Sequence, residues 1–432
     1  MKCGRETPKT YMKIEIISVG SELVCGQIGD LNAPFAASKL TELGLDVINQ
    51  TIVGDNPQDL RLALQVASER ANLIIITGGL GPTMDDITRE TVADFCNVKL
   101  ATDDNSVNHI KSLVKTVHSR KYTNNVKQAM IPEGGIVIHN PTGTAQGFLI
   151  NVSRSNIICL PGVHTEMTLM FENWVIPYIL REAGERKKRC TRVINTFGMS
   201  ESILDEKIKK IIQPDEHLSY STLVNDGIVS IRTTVSNVEE GKAISILNEI
   251  EEEICRELGI FVFSKGEDTL EGAISRLLKK QAATLAVAES CTGGLVSNLL
   301  TNVHGSSDFF SGGIVSYSNK SKQDILNVSE ELIEEYGVIS AEVAKAMASG
   351  VRERIQADIG LAVTGIAGPA GIEEGIDQGK PVGLVFVATS IKGYLECKEY
   401  RFFGSRIDIK KRAANAVLNT LRLCLLEKAA RY

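Results

Sequence analysis

The run "NLIIIT", residues 72–77, is a short unbroken apolar stretch with no polar alternation. A strand of that kind is buried on both faces, and such strands belong to parallel sheets covered by helices. Its surroundings agree. "IEIISVG" reads as a strand, "NAPFAASKLTELG" as a helix ending at Gly44, and "LDVINQTIV" as the next strand. "DNPQDLRLALQVASERA" reads as a helix with Asn56 as cap, Pro57 in its first turn and Asp59 near its positive end. A repeated strand–helix–strand order predicts a mainly parallel sheet with helices on both sides.

The same alternation returns near the other end of the chain. "TLAVAES", "GGIVSYSN", "ADIGLAVTG" and "VGLVFVATS" read as strands. A helix from Ser340 places Val343, Ala346, Met347, Val351 and Ile355 on one face, the spacing of a core-facing helix. Between the two α/β regions lies a smaller block. It holds the strand "TRVINTFG", the helix "SESILDEKIKKII", two strands around Asn225-Asp226-Gly227, and a helix through "EEGKAISILNEIEEEICREL". Asn-Asp-Gly between alternating apolar runs is a hairpin signal. After Pro161 a helix, "HTEMTLMFENWVIPYILREA", is interrupted by Pro177, and the basic run "GERKKR" follows it. A chain of 432 residues suits about three domains at roughly 150 residues each. The expected division is 12–184, 190–264 and 268–432: two three-layer α/β domains with mainly parallel sheets, joined by a small α+β domain.

A formal net charge of −6 gives no global field for nucleic acid or anionic lipid. The nine cysteines include no C-x-x-C pair, which argues against a disulfide framework or zinc site. No apolar run reaches the length of a membrane span, and "MKCGRETPKTYMK" lacks a signal peptide's apolar segment. The expected location is cytoplasmic.

Two strand exits carry chemistry. In "TGGLGPTMDDIT", residues 77–88, Gly78, Gly79 and Gly81 allow close backbone approach to a phosphate, and Thr83 adds a hydroxyl. Asp85 and Asp86 set two hard oxygen donors beside that loop, as suits a divalent cation bridging protein and phosphate. No Gly-Lys-Ser/Thr follows, so it is not a Walker A loop. In "AESCTGGL", residues 288–295, Ser290, Cys291 and Thr292 meet two glycines between a buried strand and a helix. Ser290 is the expected nucleophile. Cys291 is the rival, although alternation turns it away from Ser290. Backbone N–H groups of Thr292, Gly293 and Gly294 are candidate donors to a tetrahedral oxyanion. A hydroxyl nucleophile needs a base, and beyond residue 265 His304 is the one histidine. Lysine is the alternative: "YSNKSK" supplies Lys320 and Lys322, with Tyr317 nearby. "TGIAGPAG", with Thr364 and Gly368, is a second Gly-rich exit that could enclose a phosphate, and Arg406 offers it a bidentate partner.

"SVGSELVCGQIGDLNAPF", "TIVGDN", "TGGLGPTMDD", "KQAMIPEG", "NPTGTAQGF" and "PGV" resemble the CinA family, whose amino-terminal half is similar to molybdopterin-binding domains. The resemblance implies metal-dependent hydrolysis of the ADP-ribose pyrophosphate, with Glu22, Asp30, Asn32, Asp55, Asp85 and Asp86 lining the site. Glu22, Asp55, Asp85 and Asp86 would hold a divalent metal of unspecified identity. His164 stands where the family usually has proline, in "PGVP-x-E". The middle block resembles a KH module but lacks a Gly-x-x-Gly clamp, so direct nucleic-acid binding is not expected.

"AESCTGGL", "GGIVSYSNKSK", "YGVIS", "VTGIAGPAG", "KPVG" and "FFGSR" resemble the nicotinamide mononucleotide amidase family. That resemblance pairs Ser290 with Lys322 and implies a metal-free reaction giving nicotinate mononucleotide and ammonia. Tyr317 joins them as a catalytic candidate. The segment 371–380 is longer than the family's, and Leu384 replaces its usual threonine; both bear on substrate selectivity. The small-molecule partners implied are nicotinamide mononucleotide and ADP-ribose, with a homodimer as the assembly. The alternatives are a non-catalytic scaffold linked to DNA uptake, and an amino-terminal domain that only binds a pterin or nucleotide.

Overall fold

The computed structural model describes residues 12–114, 126–152, 155–183, 189–236, 238–266, 268–371 and 376–429. They divide into two compact units. One comprises the chain up to Cys190 with Ser236–Ala243, the other Thr191–Val235 and the chain from Ile244 on. The expected boundary between 184 and 190 falls mostly on residues 184–188, outside the described ones.

The first unit is built on a six-stranded sheet. Its strands are β1 (Lys13–Val19), β2 (Asp46–Val53), β3 (Leu73–Thr77), β6 (Ile136–Ile138), β7 (Gly147–Val152) and β8 (Ser155–Leu160), in the order β2-β1-β3-β8-β7-β6. β4 (Leu100–Thr102) and β5 (Met130–Pro132) form a separate antiparallel ribbon. The first four strands of the sheet are parallel, and β7 and β6 add an antiparallel edge. All five residues of β3 are buried, as its unbroken apolar run requires. Ile14, Ile16 and Ile75 pack into one core cluster, Ile17, Ile74 and Ile76 into another, so each sheet face has its own core. The Asn56 side chain accepts from the Gln58 N–H and caps the helix Pro57–Arg70. Helical structure continues past Pro177: a π turn, Phe171–Val175, precedes the helix Ile176–Ala183 and accommodates the proline.

The second unit holds two sheets. β9 (Cys190–Phe197), β10 (Leu218–Asn225), β11 (Ile228–Val235) and β12 (Val262–Lys265) lie in the order β10-β11-β9-β12, with the helices Glu201–Ile211 and Glu240–Leu258. β10 and β11 form the expected hairpin, with Asp226 and Gly227 at φ 49° and 85°. The second sheet contains β13 (Leu285–Glu289), β14 (Phe310–Val315), β15 (Ile359–Gly365), β16 (Leu384–Ile391) and β17 (Tyr394–Arg401), in the order β14-β13-β15-β16-β17. β14, β13 and β15 are parallel; β16 and β17 are an antiparallel hairpin on one side. Phe197 and Phe263 of the small block pack into the same core cluster as Leu270 and Ala413. Arg422 donates to the carbonyls of Ile260 and Val262. Within this unit the small block and the last α/β domain share part of one core.

Both α/β sheets bring the chain back to the middle. In each, adjacent parallel strands (β1 and β3, β13 and β15) send their connections to opposite sides and leave a crevice at the carboxyl ends. Among the described residues no helix is long and apolar enough to cross a membrane.

Candidate functional site

Ser290 is the first residue beyond β13. Its N–H donates to Val363 O at 3.0 Å, and the Ser316 N–H donates to Glu289 O at 2.8 Å, so the turn starts from a backbone pinned on both sides. Gly293 and Gly294 follow with φ of 63° and 96°, a left-handed pair that side chains with a Cβ rarely adopt. The helix Leu295–Thr301 then begins.

Lys322 comes from the helix Asn319–Leu326, whose cap Ser318 accepts from the Ser321 N–H. Its side chain is buried, only 1% exposed. Its Nζ lies 3.2 Å from Ser290 Oγ, 2.8 Å from Ser316 O and 3.2 Å from Tyr317 O. Two carbonyls thus take two N–H bonds, and the third position faces the serine oxygen. Burial pulls the Lys322 ammonium down from its ordinary 10.5 to about 8. Near neutrality a neutral amine is accessible, with its lone pair toward Ser290.

Cys291 is 5% exposed and belongs to the hydrophobic core, and burial pushes its thiol up to about 12. Such a thiol supplies almost no thiolate. His304 is exposed and precedes β14, whose far end carries Ser316. A six-residue strand, roughly 20 Å at about 3.3 Å per residue, separates it from the crevice.

The cavity over Ser290 measures about 210 Å³ and is lined by Lys322, Tyr317, Asn319, Ile339, Gly368 and Arg406 among others. The Arg406 guanidinium spans it, donating to Gly368 O and, at 3.1 Å, to the Tyr317 hydroxyl. Thr364 does not line it; its hydroxyl donates to Val338 O at 2.8 Å and anchors the wall. Two turn residues also differ from expectation. The Gly294 N–H donates to Glu289 Oε2 at 2.9 Å and that of Gly293 to Ser290 O at 3.1 Å, so neither is free for an oxyanion. The N–H groups of Cys291 and Thr292 have no hydrogen-bond partner among the described residues.

Sequence reasoning missed two groups here. Glu289, fully buried, accepts from the Thr292 hydroxyl, the Gly294, Val296 and Ser297 N–H groups and the Ser297 hydroxyl. Asp377 accepts from the Val338 and Ile339 N–H groups and from Lys380 Nζ, fixing the wall that Thr364 also holds. "AES" gave no sign of the first, since its partners converge only once the turn is formed. Lys380 in "KPVG" was a partial sign of the second. Leu384 packs with Ile339 and Ile366 beneath the same wall, and residues 372–375 of the longer loop lie outside the described ones.

In the first unit a cavity of about 500 Å³ opens between the ends of β1 and β3. Glu22, Asp55, Asp85, Asp86, Gly78, Gly79 and Gly81 all line it. The loop is organised differently from the expected cradle. Asp86 accepts from the Gly81 N–H at 2.7 Å, the Thr83 N–H at 2.8 Å and the Thr83 hydroxyl at 2.6 Å. The Gly78 N–H donates to Leu160 O. Of the four predicted phosphate contacts, only the Gly79 N–H has no partner among the described residues. Asp86 is thus spent on closing its own loop, which Lys127 also braces through Thr83 O and Asp86 O. Asp55 accepts from the Ser21 N–H with one oxygen. Asp30 caps the helix Asn32–Glu42 through the Asn32 and Ala33 N–H groups. Asn32 bridges Gly162 O and His164 Nδ1. These three, Asp30, Asn32 and His164, line a neighbouring cavity of about 240 Å³. Among the described residues no three of His, Cys, Asp and Glu converge as a metal-binding group. Such a donor set fits only a cation held by one or two carboxylates, with ligand phosphate and water completing its shell.

Residues 15–181 match the family model "Probable molybdopterin binding domain", 191–264 "Damage-inducible protein CinA KH domain" and 267–425 "CinA C-terminal domain". A "CinA-like protein" of Dictyoglomus thermophilum is 40% identical over 96% of this chain and all of its own length. A "Putative competence-damage inducible protein" of Caldicellulosiruptor bescii is also 40% identical, with the same coverage. A solved Thermoplasma acidophilum structure, titled as the protein CinA with unknown function, is 31% identical. It covers 40% of this chain and 98% of its own, with a TM-score of 0.36.

Proposed function

Starting from a chain that belongs to the CinA family, we propose that its last α/β domain hydrolyses the carboxamide of nicotinamide mononucleotide. The single observation that supports this most is the buried Lys322 amine, 3.2 Å from Ser290 Oγ at a strand-to-helix turn. Ser290 Oγ attacks the carboxamide carbon while Lys322 Nζ takes its proton. The N–H groups of Cys291 and Thr292 are the donors left for the oxyanion. Lys322 returns the proton to the departing nitrogen, and ammonia leaves an acyl-serine. Water, deprotonated by Lys322, then releases nicotinate mononucleotide. Arg406 supplies a cation for the phosphate, and Tyr317, whose hydroxyl it holds, forms the rim. No metal takes part. The test is ammonia release from the mononucleotide by the purified protein.

The pH dependence follows from Lys322. Below about 8 its amine is mostly protonated and cannot take the serine proton. kcat/KM is expected to rise with pH and level off above about 8. A profile flat from pH 6 to 9 (roughly a hundredfold span in neutral-amine fraction) would contradict lysine as the base.

The first unit supports a second hydrolytic site, acting on the pyrophosphate of ADP-ribose. The favouring observation is that Glu22, Asp55 and Asp85 line one cavity with the Gly79 loop. Asp85, with one further carboxylate from Glu22 or Asp55, would hold a divalent cation whose chemistry is to polarise phosphoryl oxygens, ligand phosphate and water completing its shell. Asp86 shapes the loop. A chelator is expected to abolish ADP-ribose cleavage and to leave ammonia release intact, with Asp85→Asn acting like the chelator in the first assay alone. Equal loss of both activities on chelation would contradict two separate sites. Both substrates are small nucleotides, and a homodimer acting in the cytoplasm is the proposed setting. The competing reading, a scaffold linked to DNA uptake, predicts no turnover of either substrate.

A further inference from the structure

The carboxylate of Glu289 is the hub of the turn that carries Ser290. It is fully buried, and each oxygen is used: Oε2 accepts from the Thr292 hydroxyl at 2.7 Å, the Gly294 N–H at 2.9 Å and the Val296 N–H at 3.1 Å. Oε1 accepts from the Ser297 N–H at 2.8 Å and its hydroxyl at 2.7 Å. A buried carboxylate is tolerated only when donors surround it, and here all of them come from residues 292–297. Those donors include the first N–H groups of the helix Leu295–Thr301, which would otherwise attract an anion.

We propose that Glu289 is a positioning residue for the reaction at Ser290: its carboxylate gathers the donors of residues 292–297 so that Ser290 Oγ meets Lys322. The inference rests on the amidase reading. It has a consequence for the nucleotide as well. With the helix amino terminus already holding Glu289, the glycine turn is closed to the substrate phosphate, which must bind elsewhere in the cavity. Glu289 therefore acts on the chemical step and not on nucleotide binding.

A shape-preserving Glu289→Gln change sets an amide NH2 against a backbone N–H whichever way it turns, Gly294 and Val296 on one side and Ser297 on the other. The turn relaxes, and a nucleophile displaced by about 1 Å costs about a hundredfold. Steady-state kinetics with nicotinamide mononucleotide should give kcat lower by about 10²-fold at nearly unchanged KM, with the pH limb still near 8 because Lys322 keeps its surroundings. Glu289→Asp, which keeps the charge but shortens the reach, should retain part of the rate and replaces the amide variant if that one does not fold. A raised KM at unchanged kcat, or wild-type kinetics from a folded variant, would overturn the assignment. Labelling of Ser290 by a fluorophosphonate gives a second readout that needs no amide substrate. Labelled wild-type protein that releases no ammonia would refute the amidase reading alone, and slower labelling of Glu289→Gln would still support the positioning role. Equal labelling rates would overturn it.

Discussion

Ser290→Ala is expected to yield a folded protein whose release of ammonia from nicotinamide mononucleotide is lower by about 10⁴-fold or more. The size follows from what is lost. Without Oγ there is no acyl-enzyme, and water would have to attack the carboxamide directly with only the oxyanion donors and binding to help. The fold should survive, because the backbone bonds that pin the turn, Ser290 N–H to Val363 O and Ser316 N–H to Glu289 O, do not involve the hydroxyl. Cys291→Ala is the control. Its thiol sits in the core with burial pushing it up to about 12, so the change removes a small apolar contact and leaves most activity. If the two variants exchanged their effects, the nucleophile would be Cys291.

Lys322→Met is expected to lower turnover by roughly 10² to 10⁴-fold, the share a positioned base supplies. The same change should remove the pH limb near 8 from whatever activity is left, since that limb belongs to the Lys322 amine bonded to Ser290. Methionine keeps the apolar stem. The Ser316 and Tyr317 carbonyls lose their donor, but the cost of burying an ammonium disappears as well, so a folded protein is expected. His304→Ala should keep wild-type kinetics, because His304 stands at the opposite end of β14. A dead His304→Ala protein with an intact fold would restore a histidine mechanism.

The parallel cores were legible because their signal is local. A run such as "LIIIT" or "LAVAE" can be buried only in a covered strand, and both are fully buried here. Cap and hairpin residues were equally local, as at Asn56 and at Asp226-Gly227. The pairing of Ser290 with Lys322 was legible through the family's motifs, since residues 32 apart meet only across a strand crossover. Donor inventories were not legible. Whether Gly294, Gly81 or Thr83 offers a free N–H or hydroxyl depends on which carboxylate reaches it first. Glu289 and Asp86 reach them from within a few residues. Loops rich in glycine and acid thus read as ligand cradles when part of their polarity is spent internally. The contact of Phe197 with the core around Leu270 was not legible either, because the two meet only once the chain is folded.

An amidase built on the Ser290–Lys322 pair has a direct product signature. Purified full-length protein is incubated with nicotinamide mononucleotide at pH 8, without metal and with a chelator present, and ammonia and nicotinate mononucleotide are quantified together. The expected result is equal amounts of the two products, formed catalytically and absent with Ser290→Ala. A folded wild-type protein that forms neither product, or forms them equally well without Ser290, would contradict it.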